Sequence, residues 1–202
     1  MANVLVLFAH PVFEKSRLHK TLVKAVRDLE GVTFHDLYEA YPDFDINVDR
    51  EQALLMKHDV VVMQHPFYWY SSPAILKQWQ DLVLEHGWAY GRGGTQLAGK
   101  AMFNAITAGG REDVYISTGY NRYTIRELLA PFDQMANLCR MKYLPPFVIH
   151  DTHRLNDHEI ELFAIQYRQL LLSFVNNTIS QSELNSVKYL NGLAPIPVAL
   201  KA

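Results

Sequence analysis

Apolar and polar positions along the chain switch repeatedly between two periods. Val4-Leu5-Val6-Leu7-Phe8-Ala9 is an unbroken apolar run, as expected of a strand covered on both faces. A loop, His10-Pro11-Val12-Phe13-Glu14-Lys15-Ser16, separates it from Leu18, Leu22, Val26 and Leu29, which recur at helical spacing. Lys20, Lys24, Arg27 and Asp28 fall on the other side of that helix; Ser16 is placed to cap it and Gly31 to stop it. Residues 32–36 read as a second strand, 38–49 as an irregular excursion rich in Tyr, Asp and Pro, and 50–57 as a short helix.

A third strand, 60–64, leads into Gln64-His65-Pro66-Phe67-Tyr68-Trp69-Tyr70-Ser71-Ser72-Pro73, the stretch around which the chain is organised. So many aromatic residues in one turn cannot all be core, and a flat partner is expected against them. Pro73, after Ser72, opens a helix with Ile75, Leu76, Trp79, Leu82, Val83 and His86 on one face, closed by Gly87. A glycine- and aromatic-rich loop, 87–95, precedes a fourth strand over 101–108 that ends in Gly109-Gly110. A polar loop (111–123), a helix (125–140) and a fifth strand (147–150, introduced by Pro146) follow. Asn156-Asp157 then opens a helix with Ile160, Phe163, Tyr167, Leu170, Leu171 and Phe174 on its apolar side. Residues 180–202 carry two prolines and no pattern, and read as an arm on a dimer partner or a disordered tail.

Strands alternating with helices in this order predict one α/β domain over residues 1–202. Its core would be a doubly wound five-stranded parallel sheet with helices on both faces. Ligands of such sheets bind outside the carboxyl ends of the strands. The loops leaving those ends are 10–17, 64–72 and 107–123, and a single ligand touching all three is the economical expectation.

The bulk numbers narrow the function. Across 202 residues, 19 Lys and Arg face 21 Asp and Glu, a net charge of −2 that gives no footprint for a nucleic-acid partner. One cysteine, Cys139, excludes an internal disulfide framework and a CxxC pair; it reads as a buried thiol in a reducing compartment. The start of the chain lacks a positively charged n-region, and no apolar run approaches the ~20 residues that span a bilayer. A cytoplasmic protein is expected, with peripheral attachment at the inner face of the cell membrane left open.

The first loop enters a helix capped by Ser16, where backbone N–H groups and a hydroxyl suit a phosphate without a lysine. Neither G-x-G-x-x-G after the first strand nor G-x-x-x-x-G-K-[ST] occurs, which disfavours a Rossmann dinucleotide site and a Walker NTPase site. Gly91-Arg92-Gly93-Gly94 follows a helix rather than a strand and reads equally well as a surface loop. The third loop begins Thr107-Ala108-Gly109-Gly110, and glycines there let backbone N–H groups approach a flat ring. Phosphate at one end and a flat hydrogen-bonding ring at the other describe a flavin mononucleotide half.

These residues carry a resemblance. His10-Pro11…Ser16, the Gln64 to Tyr70 turn, Leu76-Lys77-Gln78-Trp79, the His86 to Gly94 segment and Thr107 to Gly110 resemble the flavodoxin-like NAD(P)H:quinone oxidoreductases. Tyr41-Pro42-Asp43-Phe44-Asp45-Ile46 and Leu144-Pro145-Pro146-Phe147 are similar to the ancillary proteins of the bacterial glutathione-regulated potassium-efflux system within that family. The resemblance covers roughly residues 4–175. It implies FMN rather than FAD, with hydride passing from NAD(P)H through the flavin to a quinone. It also implies a homodimer whose second subunit completes the site. Carried over by position, His10 and Ser16, Arg17, Leu18 and His19 would hold the phosphate and ribityl side. Pro66, Phe67, Tyr68 and Trp69 would line the ring, and Thr107, Ala108, Gly109 and Gly110 would bond its pyrimidine edge. The family often has Asn at the position of His19 and a second Thr at that of Ala108. Where it places a Tyr and a His after the paired glycines to relay charge at the flavin edge, this chain offers Tyr115 and Tyr120 as the catalytic donors to the substrate oxygen, and no His between 111 and 149.

Beside these stand plainer roles. His65 and Trp79 read as structural, and Trp88 is undecided. His150, Asp151 and His153 lack a third ligand at a sensible spacing, so no metal is expected. The resemblance leaves two functions: a quinone reductase acting alone, or a regulatory subunit that binds and activates a membrane potassium-efflux antiporter.

Overall fold

The computed structural model describes residues 1–194. Its centre is a parallel sheet in the order β2-β1-β3-β4-β5, with a sixth segment also pairing β4. The strands are β1 (Val4–Phe8), β2 (Val32–Asp36), β3 (Val60–Pro66), β4 (Ala101–Thr107), β5 (Lys142–Tyr143) and β6 (Phe147–Ile149). This is the doubly wound order with its switch point between β1 and β3.

The apolar runs are continuous because each strand is covered twice. Val4, Val6, Val60, Val62, Phe103, Phe147 and Ile149 point to one face, where α1 (Arg17–Val26) and α7 (Asp157–Val175) cover them. Leu5, Leu7, Val61, Met63, Met102 and Ile106 point to the other, against α4 (Ala74–Val83), α5 (Ile125–Leu128) and α6 (Ala130–Leu138). Two short elements, α2 (Leu37–Ala40) and α3 (Val48–Met56), complete that second layer. A side-chain period of two inside an all-apolar run thus feeds two separate cores.

Several expected boundaries move. The 38–49 excursion opens with α2, capped by Asp36, and α3, capped by Asn47, begins at Val48, two residues before the expected start. β3 runs on to Pro66, because Phe67 N–H continues the ladder to Thr107 O at 2.8 Å. The helix over 73–86 stops at Val83, so His86 is not on its face; His86 bridges Tyr90 within the following loop. The helix over 125–140 breaks at Leu129, which ends α5 and caps α6, with Pro131 in the first turn of the second piece, a position that needs no N–H.

The expected fifth strand is two segments. From Tyr143 to Phe147 is four steps while the partner β4 advances three, Met102 to Ala105, so Leu144-Pro145-Pro146 inserts one residue. Proline cannot donate to a ladder and is tolerated here because this is a sheet edge. The segment after residue 180 is also ordered as far as it is described. Ser180 caps α8 (Gln181–Ser186) in a capping box, and a 3₁₀ turn, Leu190–Leu193, buries Leu190 fully against β6 and α7. The Asn191 side chain lies along the edge strand, its Oδ1 accepting from Val148 N at 2.9 Å and its Nδ2 donating to Val148 O at 3.1 Å. Up to residue 194 the segment is therefore neither a free arm nor a tail; residues 195–202 lie outside the described residues.

Candidate functional site

β1 ends at Phe8, in register with Gln64, while β3 and β4 continue two residues further to the Pro66–Thr107 pair. That step sits beside the switch point, since α1 leaves β1 to one face and α4 follows β3 on the other. The result is a cleft of about 660 Å³ at the carboxyl edge of the sheet, within the size range of ligand pockets.

One wall is the loop after β1 and the start of α1. Ser16 adopts an extended conformation and its Oγ accepts from His19 N at 3.1 Å, so the first turn of α1 opens toward the cleft. No acidic residue lies in that turn. Its unpaired N–H groups and dipole therefore favour an anion. His10 shapes the loop, its Nδ1 accepting from Val12 N at 3.1 Å and its ring edge-on to His19 at 4.9 Å and to Tyr68 at 6.0 Å. Burial lowers the His10 pKa, which favours its neutral ring. Arg17 spans from α1 to the other side, donating to Leu155 O at 2.7 Å.

The opposite wall is Pro66, Phe67, Tyr68, Thr107 and Gly109, joined by Thr152 and His153 from the loop after β6. A Cβ added at Gly109 would lie 2.8 Å from His153 Nε2, so a larger residue here would have to push the His153 ring aside.

Two buried chains of hydrogen bonds run through β3 to this cleft, one on each face of the sheet. On the first face, Tyr167 Oη lies 3.1 Å from Gln64 Oε1, Gln64 Nε2 is 3.4 Å from His19 Nδ1, and His19 Nε2 is 2.9 Å from Thr107 Oγ1. On the second, Tyr143 donates to Asn104 Oδ1 at 2.6 Å, Asn104 Nδ2 donates to His65 Nε2 at 3.1 Å, and His65 Nδ1 donates to Pro66 O at 2.9 Å. Burial pushes the His65 pKa down to about 4, and burial, then the nearby His10 and His65, push that of His19 well below its usual range. Both rings are neutral at physiological pH, and each carries one hydrogen for two contacts.

Of the residues singled out from sequence, His10, Ser16, Arg17, Leu18, His19, Pro66, Phe67, Tyr68, Thr107 and Gly109 line this one cleft. Ala108 is buried behind it, its N–H donating to Ile149 O at 2.8 Å, and Gly110 packs against Tyr115. Trp69 lies outside: it is 92% exposed with φ 51°, and Tyr70 follows with φ 63°. Tyr70 instead ties this loop to the next by donating to Asn121 Oδ1 at 3.2 Å. Tyr115 and Tyr120 part company. Tyr115 is buried behind Phe67, with ring centroids 6.2 Å apart, whereas Tyr120 is 89% exposed because the Gly119 turn swings it outward.

Sequence reasoning missed Val12, Lys15, Thr152, His153 and Ile160 in the lining. Thr152 and His153 follow a strand's carboxyl end, so the rule that found the other three loops also points to this one. His150, directly after β6, has its ring 5.6 Å from that of Tyr115. Neither His150 nitrogen has a protein partner among the described residues, and burial lowers its pKa. Among the described residues no three His, Cys, Asp or Glu side chains are grouped to hold a metal, and burial raises the Cys139 thiol pKa. No helix among them is long and apolar enough to cross a membrane.

The model of a family described as having a flavodoxin-like fold matches residues 2–171. The chain is 47% identical over 166 residues to the glutathione-regulated potassium-efflux system ancillary protein KefG of Shigella flexneri serotype 5b (strain 8401), covering 82% of this chain and 91% of that protein. Among solved structures, general stress protein 14 of Treponema denticola, in complex with FMN, superposes with a TM-score of 0.79 at 36% identity, over 88% of this chain and 99% of that one. An NADPH-quinone reductase from P. pentosaceus does so with a TM-score of 0.75 at 32% identity, over 83% and 96%.

Proposed function

The chain belongs to the family with the flavodoxin-like fold, and from that premise we propose that it is an FMN-dependent oxidoreductase passing hydride from NAD(P)H to a quinone. One observation carries the reading: a single cleft joins the Ser16-capped start of α1 to the Thr107–Gly109 strand end, with Pro66, Phe67 and Tyr68 between them. Relatives complexed with FMN or acting as an NADPH-quinone reductase, at 36% and 32% identity, support it.

The residues present fit the group. Arg17 and Leu18 offer free first-turn N–H groups to the phosphate beside the Ser16 hydroxyl, whose bond to His19 N shapes the turn, with Lys15 and Arg17 adding positive charge at the rim. Phe67 and Tyr68 form the wall for the ring, and Thr107 and Gly109 supply its polar edge. Bound flavin supplies the hydride chemistry; the protein supplies placement and field. Tyr115 acts here as support for Phe67, with His150 behind it, and Tyr120 belongs to the outer rim. The exposed aromatics Trp69, Tyr70, Tyr120 and Tyr123 beside the cleft suit cover by a second copy of the chain, which solution mass measurement tests.

Purified protein titrated with FMN is expected to turn yellow and gain thermal stability, as any ligand selective for the folded state confers. It is then expected to oxidise NAD(P)H only when quinone is added. A colourless protein that FMN neither binds nor stabilises sinks the reading.

A second role is favoured by the 47% identity to an ancillary protein of a potassium-efflux system. On that reading the chain also docks on a membrane antiporter from the cytoplasmic side. Co-purification with the antiporter, and potassium efflux that depends on this protein, test it.

A further inference from the structure

We propose that His19, backed by Gln64 and Tyr167, is a positioning residue that fixes the Thr107 hydroxyl as a hydrogen-bond donor into the cleft, so that a bound group must set an acceptor atom against Thr107. Only the identity of that acceptor, an atom of the flavin, rests on the reading above.

Two arrangements of hydrogens connect the same heavy atoms. In one, Tyr167 donates to Gln64 Oε1, Gln64 Nε2 to His19 Nδ1, and His19 Nε2 to Thr107 Oγ1. In the other the Gln64 amide is turned over and every bond reverses, with Thr107 donating to His19. The reversed chain ends on Tyr167, which is fully buried and has no acceptor for its hydrogen other than Gln64 among the described residues. A buried donor left unsatisfied loses more than a bond of this kind returns. The first arrangement therefore holds, and the tautomer of His19 follows from its neighbours.

The consequence falls on Thr107. Its oxygen already accepts from His19, so its own hydrogen is free to turn into the cleft it lines. The matching chain on the other face ends on the Pro66 carbonyl, which has no hydrogen to aim. Only the His19 chain sets the donor character of the site. His19 itself is too deep to touch a ligand by its ring tip, since that tip is engaged by Thr107.

The test has two arms. Nitrogen-15 NMR of the ligand-free protein is expected to show His19 as the neutral Nε2–H tautomer; an Nδ1–H tautomer or a charged ring at neutral pH overturns the proposal. In FMN titrations, Thr107→Val is expected to weaken binding about tenfold, the scale of one hydrogen bond in a dry site. His19→Leu is expected to weaken it several-fold, but to add nothing in the Thr107→Val background. His19→Gln, whose amide can donate from the same place, restores binding. Wild-type affinity in His19→Leu, or full additivity in the double variant, overturns the proposal. If wild-type protein takes up no FMN the flavin reading fails, and the NMR arm still decides the chain.

Discussion

The indole N–H of Trp79 donates to Oε2 of Glu51 at 2.8 Å, tying α4 to α3 inside the core. Glu51 Oε1 accepts from His35 Nε2 at 2.8 Å and from Tyr41 Oη at 2.5 Å, so one fully buried carboxylate joins β2 and the end of α2 to α3 and α4. Burial alone would raise its pKa, but hydrogen bonds from His35, Tyr41 and Trp79 outweigh that and hold it below the ordinary glutamate value. Removing the acceptor strands three buried donors. Glu51→Ala is expected to cost about 3–5 kcal/mol and Trp79→Phe about 1–2 kcal/mol in urea unfolding. The carboxylate's share of stability is present above its unfolded pKa of about 4.3 and is lost as pH falls through the lower folded value. Equal stability of wild type and Glu51→Ala contradicts this account.

His65 acts in a different pH window and with the opposite charge. Its folded pKa of about 4 lies below the unfolded value near 6.5, so the unfolded chain binds the extra proton between them. Stability is therefore expected to fall as pH drops from about 6.5 to 4, by on the order of 3 kcal/mol from this residue. His19, also depressed, adds to the same limb. Unfolding measured across pH should show that limb flattened in His65→Gln.

Ser16 and Ser180 both cap helices, α1 at the cleft and α8 far from it. Either serine replaced by alanine is expected to cost about 1 kcal/mol. Only Ser16→Ala should also weaken FMN, by several-fold, because only that helix faces the cleft. Isothermal titration of the two variants beside wild type separates the effects; parallel losses of FMN affinity would contradict the phosphate assignment.

Trp69 and Tyr70 hold φ 51° and 63°, a left-handed conformation that is strained for side chains with a Cβ. Trp69→Gly removes that strain and a residue 92% exposed. It is expected to raise stability by about 0.5–1 kcal/mol, a Tm gain of a few degrees in thermal unfolding. A lower Tm would show that Trp69 is held by contacts that stabilise the chain.

The central strands were legible because a continuous apolar run has one common explanation, and the caps at Ser16 and Asn156 because their chemistry is local. The cleft was legible as far as it follows from strand ends: ten of the residues singled out line it. What failed depends on distance along the chain. Thr152, His153 and Ile160 join the site only because β6 pairs with β4. Trp69 looked like ring wall because sequence gives residue type but not φ, and its left-handed backbone turns it outward. The helix after Pro73 appeared longer because His86 continues the apolar spacing, although Leu84 already leaves helical geometry. Ordering after residue 180 was invisible, since Asn191 is an ordinary polar residue until it meets Val148.

That meeting carries a consequence for the molecule among its neighbours. Val148 sits on an outer strand, where an exposed N–H and C=O ordinarily form a template for strands of other chains. The Asn191 amide fills both positions, and Pro145 and Pro146 deny a donor along the same border. The segment after α7 is thus a guard against aggregation, and shortening the chain before Asn191 trades solubility for an open, self-adhesive rim.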